Sequence, residues 1–161
     1  MSALSFRDTP APADGDLVRQ LAQDSGGFSA GEIEIAVELV EERLARGLVA
    51  SGYHFLFGNS GGPALGYACY GPIPLTAASW DLYWIAVAKA AQGRGVGRRL
   101  LAEVERRVAA LGGRQIYIDT SGRADYARSR AFYEKAGYRL AANLPDFYAP
   151  GDAKLVFAKK L

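Results

Sequence analysis

The chain has 161 residues, of which half are hydrophobic and 22% are charged. This composition is typical of a soluble globular protein, and we predict one domain over residues 1–161. The net charge of +2 is too small to indicate a nucleic-acid partner. Cys69 is the single cysteine, which excludes an intrachain disulfide. Because no signal-peptide core or membrane-length apolar run occurs, we expect a cytoplasmic protein with no membrane partner.

The N-terminal half predicts a strand, two helices and a β-hairpin. Ser29 and Glu32 have the spacing of a capping box, in which each residue satisfies a backbone N–H of the other. The helix behind them has one apolar stripe, formed by Ile33, Val37, Val40 and Leu44. The predicted elements are a strand at 4–7, a helix at 15–23, a helix from Ser29 to Gly47, and paired strands at 53–57 and 64–70.

The C-terminal half predicts a strand–helix–strand crossover followed by a helix and two strands. In residues 80–87 apolar side chains occur at both odd and even positions, as in a central strand that is covered on both faces. Such a crossover makes its two strands parallel and brings their carboxyl ends to one side. The later elements are a helix to 111 with Val96, Leu100, Val104, Val108 and Leu111 inward, a strand at 115–119, a helix at 125–135, and strands at 138–141 and 154–159 around a loop at 143–152.

A glycine-rich turn joins the central strand to its helix, with the sequence Gln92-Gly93-Arg94-Gly95-Val96-Gly97-Arg98-Arg99. Glycines allow a ligand to approach the backbone, and the first turn of a helix offers unpaired N–H groups and a positive dipole end. Arginines are unfavourable at that end, yet no carboxylate occurs before Glu103. This exception predicts a bound polyanion, and the alternative is an ordinary turn with solvated arginines.

The turn lacks the Lys-Ser or Lys-Thr of a Walker A loop and the third glycine of a dinucleotide fingerprint. It resembles the Gln/Arg-x-x-Gly-x-Gly/Ala pyrophosphate loop of the GNAT superfamily of acyl-CoA-dependent N-acetyltransferases, through Gln92, Gly95 and Gly97. A second segment, Ala131-Phe132-Tyr133-x-x-x-Gly137-Tyr138, is similar to another signature of that family. The resemblance implies an α/β fold with a mixed, mostly antiparallel sheet of six to seven strands, one parallel strand pair and about four helices.

The resemblance implies acetyl-CoA, or a related acyl-CoA, as the co-substrate and no metal. The backbone at Ile85 and Val87 would pair with the pantetheine, and an N–H near Val87 would stabilise the oxyanion. Tyr126 stands where many members have Asn, so that contact cannot be carried over, and Ser129 or Arg130 is a candidate substitute. The predicted cofactor-binding residues are Ile85, Val87, Gln92, Gly93, Arg94, Gly95, Val96, Gly97, Arg98 and Ser129.

Tyr133 matches the family tyrosine that protonates the departing CoA thiolate. A phenol with a pKa of about 10 is still protonated when a thiolate with a pKa of about 8.5 leaves. Asp81, six residues before Val87, matches a position where some members carry a catalytic Glu. It is our candidate base, directly or through water, and it needs burial to raise its pKa. His54, the only histidine, is expected to be structural and half-buried, and Cys69 a buried apolar residue.

The acceptor predicted from the resemblance is an amine of a small molecule or a peptide. Pro145-Asp146-Phe147-Tyr148 is either an acceptor-facing segment suited to a cation or an ordinary hairpin loop. A non-catalytic acyl-CoA-binding module on the same fold is the main alternative function, and a homodimer is left open. Nucleic-acid binding through the arginines is disfavoured because Glu103 and Glu105 lie among them.

Overall fold

The computed structural model describes residues 3–161. Within these residues the chain forms four α-helices and a seven-stranded sheet of order β1-β2-β3-β4-β5-β7-β6. The β4–β5 pair is parallel, which confirms the predicted mixed sheet and its crossover. The elements are β1 (Ser5–Arg7), α1 (Asp14–Ser25), α2 (Ala30–Ser51), β2 (His54–Asn59), β3 (Ala64–Pro72), β4 (Ser79–Val87), α3 (Val96–Ala110), β5 (Gln115–Ser121), α4 (Ala127–Lys135), β6 (Arg139–Ala149) and β7 (Asp152–Lys160).

The chain divides into two compact units. The first extends to Gly71 and includes Trp84–Arg106, and the second comprises Pro72–Tyr83 and Arg107–Leu161. The first has a core of aliphatic and aromatic residues from α1, α2, β2, β3 and β4, namely Val18, Leu21, Ala36, Val37, Val40, Phe55, Phe57, Tyr67, Cys69 and Ala86. The buried apolar residues of the second include Ile116, Ile118, Tyr133, Tyr138 and Phe157. No helix within residues 3–161 combines the length and apolar character needed to cross a bilayer.

Helix α2 begins as predicted but extends past its predicted end. The Ser29 side chain accepts a hydrogen bond from the Glu32 N–H, and the Glu32 carboxylate accepts one from the Ser29 N–H. Gly47 has φ 80° and interrupts the helix, which then resumes to Ser51. Leu44, predicted on the apolar stripe, is exposed, and Val40 is the last buried residue of the helix.

Helix α3 packs largely as its periodicity predicts. Val96, Leu100, Val104 and Val108 are all buried. Leu101 is buried as well, so the apolar face is wider than the single predicted stripe. Leu111 is 60% exposed, contrary to prediction. The helix ends at Ala110, and the turn at Gly112 does not continue the helical spacing that would place Leu111 on the buried face.

Strand β4 is less covered than its apolar sequence predicted. Trp80, Leu82 and Ala86 are buried, but Asp81 is only half-buried and Tyr83 is 36% exposed. The described pairing of β4 with β5 joins Ser79–Asp81 to Gln115–Tyr117.

The predicted loop at 143–152 is instead most of a β-hairpin. Strand β6 extends to Ala149 and β7 begins at Asp152, so the connection is two residues long. A register shift between Leu144 and Ala149 accommodates Pro145 and Asp146, which has φ 57°. Such a bulge lets a strand contain residues whose composition is typical of a loop.

Candidate functional site

The glycine-rich turn exposes its backbone. Gly93 and Gly95 have φ of 73° and 81°, a region that residues with a Cβ rarely adopt. A Cβ built on either residue meets no other atom within 4 Å, so no side chain covers these positions. Both glycines are therefore required by the backbone conformation, and the space outside them is available to a ligand.

The start of α3, together with this turn, is the candidate anion cradle. The Arg99 N–H donates to the Gly95 carbonyl at 3.1 Å, so the N–H groups of residues 95–97 have no acceptor within the helix. The first turn contains no acidic residue, while Arg94 and Arg99 are exposed. Buried Val96 anchors the cradle to the core. Free donors and nearby guanidinium groups suit a phosphate group.

The Gln92 side chain holds the glycine-rich turn in place. Its Nε2 donates to the carbonyl oxygens of Ser25 and Val87, at 3.0 Å in each case. The Gln92 side chain thus links the end of α1 to the end of β4, next to half-buried Ile85 and Val87. Its side-chain amide holds the backbone on which the predicted pantetheine contacts lie, a role that the sequence motif by itself does not reveal.

Tyr133 lies on the last turn of α4 in an aromatic cluster. Its ring centroid is 6.2 Å from that of Tyr138 and 6.4 Å from that of Phe157. Gly137, with φ 94°, closes the helix, so that the Tyr138 N–H donates to the Tyr133 carbonyl at 3.0 Å. The spacing of the second signature therefore has a structural cause. Burial raises the pKa of Tyr133 to about 12, which keeps the phenol protonated at neutral pH.

The beginning of α4 carries the two candidate substitutes for the missing Asn. Arg130 donates from Nη1 to the carbonyls of Ser121, at 2.9 Å, and Arg123, at 2.7 Å. These bonds hold the turn before α4. Ser129 is exposed, so it remains the better candidate for a ligand contact.

Asp81 lines a cavity of about 150 Å³ together with Leu82, Tyr83 and Asp119. Asp81 and Tyr117 are register partners on β4 and β5, and Asp119 lies two residues further along the same face of β5. Burial, and then the negative charge of Asp119, raise the pKa of Asp81 to about 6, against an opposing effect of Lys154. A carboxylate with this pKa accepts a proton more readily than a solvated aspartate does.

Three comparisons place the chain among known proteins. The sequence profile described as the Acetyltransferase (GNAT) family matches residues 18–138. A GNAT-family structure from Desulfovibrio desulfuricans shares 46% identity, covers 98% of this chain and 99% of its own, and superposes with a TM-score of 0.95. The chain belongs to the GNAT acetyltransferase family. An aminoglycoside 6'-N-acetyltransferase complexed with coenzyme A, at 21% identity, has the same fold, with a TM-score of 0.72 over 98% of this chain and 96% of its own.

Among curated proteins, the blasticidin-S acetyltransferase of Streptomyces morookaense is 36% identical over 81 residues. The match spans 50% of this GNAT chain and 55% of that protein, so the chain matches about half of the relative's length.

The side chains of His54, Cys69 and Arg106 in this GNAT chain have contacts typical of structural residues. His54 is half-buried and stacks on Tyr70, with ring centroids 5.3 Å apart. Burial lowers the pKa of His54 and raises that of the Cys69 thiol, which is free and buried. Arg106 pairs with Glu103 at 2.8 Å, as expected of a solvated helix face. Residues 3–161 contain no group of three or more His, Cys, Asp or Glu arranged to hold a metal ion.

Sequence reasoning misses two residues near the GNAT cavity: Asp119, which lines it, and Lys154, which pairs with Asp119. Side chains alternate between the two faces of β5, which places Asp119 on the same face as Tyr117. This alternation is the feature of the sequence from which Asp119 could be found. Lys154 could be found only from the β5–β7 register.

Replacing Gly95 by Ala is expected to weaken CoA binding by about tenfold, because forcing a Cβ into the left-handed region costs about 1–2 kcal/mol or moves the cradle. Isothermal titration with CoA measures this. Gly61→Ala is the matched control, since Gly61 also has φ 80° and an open Cβ position but lies in the β2–β3 connection. Equal CoA affinity in the two variants would show that the turn does not bind the cofactor.

Proposed function

We propose that the chain is an acetyl-CoA-dependent N-acetyltransferase that moves an acetyl group to a primary amine by direct attack. The observation that carries this proposal is a half-buried carboxylate at a cavity, Asp81, in the same compact unit as the buried phenol of Tyr133. The two groups suit the two proton movements of acyl transfer. Family membership and the acetyltransferase relatives support the same reaction.

The anion cradle supports coenzyme A as the carrier of the acetyl group. Its open glycines and helix N–H groups fit a pyrophosphate, and a structural neighbour was solved with coenzyme A. We propose that the 92–98 turn binds the pyrophosphate and that the backbone of Ile85 and Val87 contacts the pantetheine. Ser129 is the proposed contact to the rest of the coenzyme A molecule. Acetyl-CoA supplies an activated thioester.

Asp81 and Tyr133, both in the second unit, are the proposed proton-transfer groups. Asp81, directly or through a water molecule, takes a proton from the acceptor ammonium, so that the neutral nitrogen can form the new N–C bond. The C–S bond breaks, and Tyr133 gives its proton to the departing sulfur. The acylated nitrogen then loses its second proton, Tyr133 regains one proton through solvent, and one proton leaves to bulk water as Asp81 is deprotonated, so the products are the amide, the CoA thiol and one proton. A backbone N–H near Val87 is the proposed donor to the oxyanion.

A non-catalytic acyl-CoA-binding module would retain the cradle and would not need either proton-transfer group. The raised pKa of Asp81 favours the enzyme, because perturbed groups beside a cavity are typical of active sites. The acidic lining of the cavity suits a cationic amine. The relative that acetylates blasticidin S indicates a small molecule, but the match covers only about half of each chain.

A screen of amine classes for acetyl-CoA-dependent thiol release tests the proposal. We expect release that depends on the amine, with small-molecule amines and peptide N-termini or lysines compared at equal concentration. Product masses should show a gain of one acetyl group. If CoA binds but no amine gives release above background hydrolysis, the module is the better interpretation.

A further inference from the structure

An ion pair borders the Asp81 cavity and is independent of the sequence motifs. Lys154 Nζ on β7 lies 2.9 Å from Asp119 Oδ2 on β5. In the β5–β7 register Asp119 faces Val156, so Lys154 lies diagonally across on the same face. The side chains are 22% exposed for Lys154 and 47% for Asp119. The pair is therefore partly shielded from water on the lysine side.

The bulged end of the β6–β7 hairpin holds this lysine in place. Lys154 Nζ lies 4.7 Å from the centroid of the Phe147 ring. The Asp146 carboxylate accepts a hydrogen bond from the Gly151 N–H at 2.7 Å and stabilises the bulge that presents Phe147. A cation between a carboxylate and an aromatic face has two favourable contacts, which restrict its position.

Asp81 and Asp119 therefore line one cavity but have different surroundings. Asp119 has a lysine as its partner, whereas Asp81 is half-buried and experiences Lys154 only through space. The ion pair engages the Asp119 carboxylate with a lysine, so Asp81 is the carboxylate of the cavity that is left to exchange a proton.

We propose that Lys154 is a positioning residue for acyl transfer, which holds Asp119 in an ion pair and so reserves Asp81 as the carboxylate that exchanges a proton with the acceptor amine. This inference rests on the proposed function. The charged groups that act on Asp81 are Asp119 from β5 and Lys154 from β7. The phenols of this region are Tyr83 on β4 at the cavity, Tyr117 on β5 in register with Asp81, and Tyr148 on β6, which acts on Lys154.

The test compares Lys154→Met with Lys154→Arg and with Lys160→Met. The first removes the cation, the second keeps it, and the third removes a charge from the exposed end of the same strand. Two quantities are measured as functions of pH: kcat/KM with the best amine from the screen, and the ¹³C shift of the Asp81 carboxyl, assigned with Asp81→Asn. Thermal melts show that each variant is folded.

In Lys154→Met, Asp119 loses its partner and its charge acts on Asp81 without compensation. We expect the acid limb of kcat/KM and the Asp81 midpoint to move together to higher pH. Lys154→Arg should restore both, and Lys160→Met should match the wild type. Because the groups are partly exposed, the displacement should shrink as salt is added.

The outcomes separate this inference from the function on which it rests. If the wild type acetylates an amine but Lys154→Met leaves the Asp81 midpoint unchanged, the role of Lys154 is wrong and the proposed function stands. A lower kcat/KM with an unmoved pH profile would likewise show a merely structural lysine. If the wild type acetylates no amine, the proposed function is wrong and the role of Lys154 in transfer is overturned with it, whatever the ¹³C titration shows.

Discussion

Tyr133→Phe is expected to lower kcat by about 10²–10⁴-fold while leaving the affinity for CoA close to that of the wild type. The phenylalanine ring retains the packing against Tyr138 and Phe157, so the substitution removes only the hydroxyl. Without it the departing thiolate loses the proton donor that we propose for it. Because burial raises the pKa of Tyr133 to about 12, the wild-type phenol retains its proton across the whole neutral range.

Tyr67→Phe is the matched control, since it removes a hydroxyl from another buried tyrosine. The Tyr67 hydroxyl is buried with no hydrogen-bond partner among the described residues, so its removal should leave activity unchanged and stability equal or slightly higher. Stopped-flow thiol release and CoA titration measure the two effects. Activity in Tyr133→Phe within about threefold of the control would refute the acid role, because proton-donor loss costs at least about 10².

Asp81→Asn is expected to abolish most transfer and, at the same time, to stabilise the fold at neutral pH. The pKa of Asp81 is about 6 in the folded chain and near 3.8 when the group is solvated. The folded state therefore binds the proton more tightly, and stability falls as pH rises from about 4 to 6. The amide does not ionise and avoids this cost, so its advantage is absent below pH 4 and complete above pH 6.

The expected gain at pH 8 is about 1 kcal/mol, since a shift of one pKa unit corresponds to about 1.4 kcal/mol and half-exposure reduces the effect. The expected loss in kcat/KM is about 10²–10⁴-fold. Urea unfolding at pH 4 and pH 8, with the pH profile of thiol release, measures both. Asp125→Asn, an exposed carboxylate of the same unit, should change stability by less than about 0.5 kcal/mol.

A gain in stability for Asp81→Asn that is the same at pH 4 and pH 8 would show that the wild-type carboxylate is not destabilised by its surroundings. Transfer at the wild-type rate would assign the base to another group or to water. The two measurements are independent, because one reports on the folded ground state and the other on the reaction.

Local patterns in the sequence were sufficient for most of the fold. The capping box at Ser29 and Glu32 and the apolar stripe of α3 depend on neighbours within a few residues, so their structures follow from spacing. The prediction of a loop at 143–152 was wrong because Pro145 and Gly151 are typical of loops. Only strand pairing with a bulge makes these residues part of the β6–β7 hairpin.

The sequence by itself determined the glycine turn with its unpaired helix N–H groups and the helix that carries Tyr133, because each results from contacts between residues close in the chain. It also determined the parallel pairing of β4 and β5, because a strand–helix–strand order favours a parallel crossover. The tertiary structure alone decided that Gln92 fastens the turn to Ser25 and Val87, residues 67 and 5 positions away. It also decided that Lys154 reaches Asp119, because that contact depends on the register between β5 and β7. Register is set by the packing of whole strands, and no local pattern specifies it.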